Sequence, residues 1–218
     1  MNEEHIIFES RQDAGRYLAT KLTEYKNVPT IVLAIPNGGV PVAIEVAKAI
    51  NADLDLVICR KIPLPLTPEG GFGACADDGT VVLDEEVVKR VGLSRQQIEQ
   101  EANKVRAEIK RRTLLHKRDW PPISIMGKTV ILVDDGLASG ITMTAAVESI
   151  RHRHPKETIV AVPCSSILAA KKVERVADKV VIYYKGHMPM FRVGDFYQNW
   201  YDLTDEDIIR YLRQWRMR

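Results

Sequence analysis

The segment VILVDDGLASGIT, Val130 to Thr142, drives an apolar run into two adjacent carboxylates and then into small, glycine- and hydroxyl-rich residues. Asp134 and Asp135 repel anions, whereas Ala138, Ser139, Gly140, Ile141 and Thr142 form a stretch suited to holding one. A helix that starts there offers unpaired backbone N–H groups and the positive end of its dipole. Gly140 lets the backbone approach a ligand closely, and Ser139 and Thr142 add hydroxyl donors. Adjacent carboxylates stay ionised only if solvated, hydrogen-bonded or beside a cation, and sugar hydroxyls can donate to them. A sugar phosphate with a free vicinal diol satisfies both halves of the segment. The loop lacks both Gly-Lys-Ser/Thr and Gly-x-Gly-x-x-Gly, so it is neither a Walker P-loop nor a dinucleotide fingerprint.

Working outward, short apolar runs alternate with helical patterns. Arg11–Lys26 reads as a helix capped by Ser10, followed by a buried strand, TIVLAI, at Thr30–Ile35. A helix follows at Val42–Ile50, then a second buried strand, LDLVICR, ending in Arg60 and Lys61. The proline- and glycine-rich segment from Lys61 to Thr80 reads as an irregular, mobile loop, and such long loops are usually functional. Ser94 caps a long helix, residues 94–117, with Ile98, Ala102, Val105 and Ile109 on one stripe. Three further strands and two helices lead to an aromatic tail, and Thr204 caps a last helix. Strands alternating with helices predict an α/β fold with a doubly wound, mainly parallel sheet. Ligands in such sheets sit beyond the carboxyl ends of the strands, so PNGG (36–39), Arg60–Lys61 and DDG (134–136) are expected to face one site.

Bulk properties narrow the class. The chain has 218 residues, enough for one well-cored α/β domain. Its charged fraction of 28 % and net charge of +2 argue against disorder and against a global field for nucleic acid or membrane. The start, MNEEHIIFES, lacks the pattern of a leader, and no apolar run is long enough for a membrane span. Three widely spaced cysteines suit reduced thiols, so a cytoplasmic location is expected.

The Val130–Thr142 segment resembles the phosphoribosyl-pyrophosphate signature of the type I phosphoribosyltransferase family. That signature is four apolar residues, two acids, a short spacer, Ala or Thr, a hydroxyl residue, Gly, any residue and Thr. The resemblance implies that Asp134 and Asp135 hold the ribose 2- and 3-hydroxyls and that Ala138–Thr142 wrap the 5-phosphate. It implies magnesium, with both aspartates as indirect ligands through ribose or water. Apolar strands ending in Asp-Asp also occur in receiver domains and hydrolases; the hydroxyl-Gly-x-Thr continuation weighs against them. In the same family, PNGG resembles the diphosphate loop, with Asn37, Gly38 and Gly39 offering amides and a non-proline cis peptide expected at Pro36–Asn37. Close relatives carry arginine where this chain has Asn37, so part of the diphosphate charge must be met elsewhere. Arg60 and Lys61 match basic residues that reach the diphosphate, and residues 61–80 correspond to the lid. Asp77 and Asp78 on that segment read as turn residues in preference to metal ligands.

The resemblance implies transfer of phosphoribosyl to a nitrogenous base or other small nucleophile, with diphosphate released. Six-oxopurine branches carry an aspartate where this chain has Ala138, which counts against hypoxanthine or guanine; the acceptor stays open. Its candidate holder is a hood at residues 185–203, where Trp200 belongs to a cluster with Phe191, Phe196, Tyr197 and Tyr201. For three of these five, a core role is the better reading. Chain 1–218 is read as a single domain, expected to form a homo-oligomer, a dimer in the first instance. Seven basic residues against Glu108 between Asn103 and Arg118 leave RNA or DNA contact open, though a solvated helix face is the commoner explanation. The competing reading is therefore a non-catalytic regulator that binds phosphoribosyl pyrophosphate and nucleic acid. From sequence, Asp135→Asn and Ser139→Ala are each expected to weaken donor binding without altering ligand-free unfolding.

Overall fold

The computed structural model describes residues 7–65, 67–117, 122–187 and 190–217. The acidic start at 1–6, Leu66 of the proline-rich segment, Arg118 of the basic run, Met188 and Pro189 of the hood and the final Arg218 lie outside the described residues.

Five strands form a wholly parallel sheet. They are β1 (Thr30–Ala34), β2 (Asp53–Leu56), β6 (Thr129–Val133), β7 (Glu157–Ser166) and β8 (Lys179–Gly186), ordered β2-β1-β6-β7-β8. Every residue of β1 and β6 is buried, as continuous apolar strands covered on both faces must be. Alternation sorts their side chains. Val32, Ala34, Ile131 and Val133 pack toward α1 (Arg11–Ala19) and α2 (Gly39–Ile50), while Ile31, Leu33, Val130 and Leu132 pack toward α5 (Ile141–Arg151) and α6 (Ile167–Val173). From β1 the chain passes to β2 on one side, and β6 then adds on the other. The order therefore reverses between β1 and β6, which opens a crevice at their carboxyl ends. PNGG and DDG emerge side by side into it, since Ala34 pairs with Val133.

Three sequence expectations change. The first helix stops at Ala19, where the Thr20 hydroxyl donates to Tyr17 O, and Thr23–Tyr25 continues as a 3₁₀ turn. The second parallel strand ends at Leu56; Arg60 and Lys61 instead belong to β3 (Cys59–Leu64) of a separate sheet. The described residues of the segment expected to be irregular are largely strand there. β3, β4 (Thr67–Ala76) and β5 (Val81–Leu83) form an antiparallel sheet, with register shifts around Pro63. β3 is an edge strand, so prolines at its bulged end remove no obligatory ladder bond. Gly71 and Gly73 are there for space: a Cβ would lie 2.5 Å from Lys61 Cγ at the first and 2.6 Å from Val82 O at the second. Ile62, Phe72 and Cys75 share the core of the main sheet, which ties the two sheets together.

The chain next forms α3 (Glu85–Val91), which the sequence reading did not anticipate, and α4 (Arg95–Lys117). Ser94 caps α4 as expected, its hydroxyl accepting from Gln97 N. Along its 23 residues α4 buries only Ala102, Val105, Ile109 and His116, the stripe that rests on β3 and β4. Thr204 and Asp207 form a capping box at the start of α7 (Asp205–Arg216), as its acidic first turn suggested. Among the described residues, no helix is long and apolar enough to cross a membrane.

Candidate active site

The site is built around the end of β6. Asp135 N donates to Asp134 Oδ1 at 2.8 Å, folding the two acids back on one another. Asp135 Oδ2 accepts from Arg11 Nε at 2.8 Å, an ion pair whose side chains are 6 % and 13 % exposed. The backbone under Asp135 is pinned as well, because its carbonyl accepts from Tyr197 Oη at 2.6 Å and from the Cys164 thiol. Loss of water raises both carboxyls above the usual range. For Asp134 the neighbouring Asp135 charge adds to that rise; for Asp135 the Arg11 guanidinium opposes it. The pair is thus a strained anionic site that sugar hydroxyls or a cation would relieve.

Beyond the acids the chain turns into the anion cradle. Leu137 is stitched to the end of β7 by two backbone bonds, and Ser166 Oγ donates to Ala138 O at 2.9 Å. Gly140 sits at φ 75°, a conformation that suits glycine, and hands the chain to α5 at Ile141. Ala138 and Ser139 are exposed, Thr142 is half-buried, and the Ile141 side chain is buried against Ala74 and Ala145. Ile141 can therefore offer only its amide. Ser139 Oγ makes one long contact, accepting from Ile141 N at 3.4 Å, and bonds no other part of the fold among the described residues. Ser139→Ala is accordingly expected to weaken donor binding about tenfold in calorimetry, as for one lost bond to a charged group, and to leave ligand-free melting unchanged.

The PNGG loop closes the other wall. The Pro36–Asn37 peptide is cis, as expected. Asn37 Nδ2 donates to Leu203 O at 2.7 Å, and its Oδ1 accepts from Arg112 Nη1 at 2.8 Å. Gly38 and Gly39 touch the acids directly. A Cβ on Gly38 would lie 1.9 Å from Asp135 Oδ2, and one on Gly39 would lie 2.6 Å from Val133 O.

Arg60 and Lys61 are consecutive residues of β3. Neighbours on a strand point to opposite faces. Arg60 is half-buried on the α4 side, where burial and then the Arg112 charge lower its pKa. Lys61 is exposed, its stem lying against Gly71. In the hood, Phe196 and Tyr197 are buried and Phe191 stacks on Phe196 at 4.8 Å, so these three are core. Trp200 and Tyr201 stay 40 % and 52 % exposed. The Arg11 guanidinium lies 3.9 Å from the Trp200 ring centre and donates to Tyr201 O, which links the hood to Asp135.

Asp77 and Asp78 are turn residues, the first paired with Lys117 and the second accepting from Thr80. Among the described residues, no three His, Cys, Asp or Glu side chains are grouped to hold a metal by themselves. The basic face of α4 is largely offset, through Lys104–Glu101, Arg106–Glu99 and the pairing of Arg111 and Arg112 with Glu108. That is the pattern of a solvated helix face, made mostly of exposed ion pairs. Sequence reasoning missed Arg11 and Arg112. A helical arginine looks the same in sequence whether it faces water or a distant carboxylate.

Comparison with known proteins decides the family. A model of the phosphoribosyl transferase domain matches residues 75–189, more than half of the chain. The chain belongs to the phosphoribosyl transferase family. A provisionally named phosphoribosyl transferase of Mycobacterium tuberculosis, Rv0571c, is 34 % identical over 206 residues, covering 94 % of this chain and 46 % of that protein. The chain thus spans about half the length of the curated relatives it matches. The crystal structure of TT1426 from Thermus thermophilus is similar throughout, at 33 % identity and TM-score 0.79, covering 96 % of this chain and 99 % of that one. The family's parallel sheet flanked by helices is the architecture observed here.

Proposed function

We propose that this phosphoribosyl transferase chain binds phosphoribosyl pyrophosphate with magnesium and transfers its phosphoribosyl group to a nitrogenous base or other small nucleophile. The observation that carries this reading is the meeting, at one reversal of strand order, of paired acids, an amide cradle and a glycine loop in contact with the acids. Few ligands other than a pentose bearing phosphate at one end and diphosphate at the other present a diol between two anions.

In the reaction the C1–O bond to diphosphate breaks, a C1–N bond forms from the opposite face, and the acceptor nitrogen gives up its proton. Asp134 and Asp135 hold the ribose hydroxyls, fixing C1. The amides and hydroxyls of Ala138–Thr142 hold the 5-phosphate at the start of α5. The amide of Gly38 would receive the diphosphate; that of Gly39, expected from sequence to share this role, is already donated to Ile35 O at 3.1 Å. Most of the acceleration on this scheme comes from positioning and from stabilising charge on the leaving group. Ala138 supplies no acid or base to the acceptor, whose proton must leave by another group or water.

The donor set suits magnesium. Adjacent aspartate oxygens beside a diphosphate are the hard ligands this ion takes when the substrate completes its shell. Asp134 and Asp135 would hold it indirectly, through the ribose hydroxyls or water, where it would offset charge on the departing diphosphate.

A thermal-shift assay tests the reading. Phosphoribosyl pyrophosphate with magnesium at a hundredfold its Kd should stabilise the chain by about 2.7 kcal/mol, and bases added on top should raise the transition further. No shift with the donor overturns the proposal. Donor binding with no diphosphate released by any base, together with salt-sensitive RNA binding, would make the chain a regulator instead.

A further inference from the structure

The loop at residues 36–39 contains no charged side chain, yet it lies against two carboxylates. A diphosphate placed on its amides would sit beside the anionic Asp135 oxygen that Gly38 touches. Arg11 is already committed to that oxygen, at 2.8 Å. A second guanidinium reaches the loop from 75 positions along the chain.

We propose that Arg112, carried in by α4 and clasped to Asn37, is the cation of the diphosphate-binding wall, supplying the charge that the loop lacks. This rests on the donor reading above. The geometry is preset. Asn37 Nδ2 is spent on Leu203 O, which turns Oδ1 toward Arg112 Nη1 at 2.8 Å. Arg112 Nε is held by Glu108 at 2.8 Å, and Nη1 lies 3.7 Å from Asp205 Oδ1 at the start of α7. Its side chain is only 14 % exposed, so it is desolvated and oriented before any ligand arrives. Asp205 also binds Arg111 and His116, so its charge is shared among three partners.

The charge balance favours an anion. Arg60, Arg111 and Arg112 face Glu108 and Asp205, leaving one positive charge in a cluster whose edge is the loop. His116 is buried, and burial lowers its pKa, so it adds no charge at neutral pH. Planar guanidinium groups match phosphate oxygens in a way that ammonium groups do not. On this view the long helix is part of the donor site, because it delivers the cation that a diphosphate needs.

The test is calorimetry on the full chain with magnesium, using phosphoribosyl pyrophosphate, inorganic diphosphate and ribose 5-phosphate in turn. Arg112→Gln should weaken the two diphosphate ligands at least tenfold and leave ribose 5-phosphate within twofold of wild type. Equal losses for all three ligands would make Arg112 merely structural and overturn the proposal, as would unchanged diphosphate binding. Should the glutamine variant fail to fold, Arg112→Lys keeps the charge but loses the fork; it should show the same split at about threefold, and no split overturns the proposal. Wild-type protein that binds none of the three ligands overturns the donor reading itself, a result distinguishable from an Arg112→Gln variant that binds like wild type.

Discussion

Asp134→Asn and Asp135→Asn should shift the ligand-free melting temperature in opposite directions while both weaken donor binding at least a hundredfold. The two residues are adjacent and chemically identical, and the difference lies in their partners. Asp134 is a desolvated carboxyl, costly to ionise, that accepts a hydrogen bond from Asp135 N. An asparagine oxygen can accept the same bond, so Asp134→Asn removes an unfavourable charge and should stabilise the chain by about 1–2 kcal/mol, or roughly 3–6 °C. Asp135 instead neutralises Arg11, which is buried between the hood and the acids. Asp135→Asn strands that guanidinium, at a cost of about 3 kcal/mol, or roughly 6–12 °C. The expectation from sequence, that Asp135→Asn would leave unfolding unaltered, gives way because the sequence does not reveal Arg11.

The pH dependence has a definite sign. The folded Asp134 carboxyl is raised above the ordinary aspartate value of 3.8, so above that pH the folded chain keeps a proton that the unfolded chain has lost. The contribution of Asp134 to stability is therefore greatest in acid and is lost as pH rises through the folded value. Asp134→Asn should flatten that slope in scanning calorimetry at a series of pH values. A wild-type profile without it, or two variants that shift melting the same way, would contradict this account of the acids.

What was legible in the sequence follows from locality. The Val130–Thr142 segment, PNGG and the Thr204 cap each carry their signal within a dozen residues, and each forms as read. β1 and β6 declare themselves through uninterrupted apolar runs. The β3–β4 hairpin did not, because its prolines and glycines are turn residues by local statistics. They are tolerated for non-local reasons: an open strand edge at Pro63 and close packing at Gly71 and Gly73. Arg11 and Arg112 were invisible for the same reason, since their partners Asp135 and Asn37 lie 124 and 75 positions away. The aromatic tail falls between these cases. Its burial could be guessed for three rings, but nothing local says that Trp200 lies over an arginine bound to Asp135.

Gly38→Ala and Gly39→Ala should both abolish detectable donor binding and both lower stability, the first by displacing Asp135 from Arg11 and the second by forcing backbone atoms apart. Neither change is forbidden by helix propensity. Gly38 has φ −59° and ψ −35°, which alanine adopts freely, and Gly39 opens α2, where alanine would ordinarily gain about 0.5–1 kcal/mol. Close approach reverses that preference. The Cβ of Gly38→Ala would meet Asp135 Oδ2 at 1.9 Å. A side-chain oxygen can swing aside, so the fold survives, but Asp135 then leaves both Arg11 and the position from which it would hold ribose. The Cβ of Gly39→Ala would meet Val133 O at 2.6 Å and Asp134 Cα at 2.9 Å, both backbone atoms of the central strand end. These cannot yield without parting β1 from β6, where Ile35 N bonds Val133 O at 2.9 Å. Overpacking of this kind costs about 1–3 kcal/mol, enough to outweigh the propensity gain and lower the melting point by several degrees. Calorimetry with phosphoribosyl pyrophosphate and thermal melting on the two variants check both effects. Wild-type donor affinity in Gly38→Ala would mean that the glycine loop and the acids do not form one pocket.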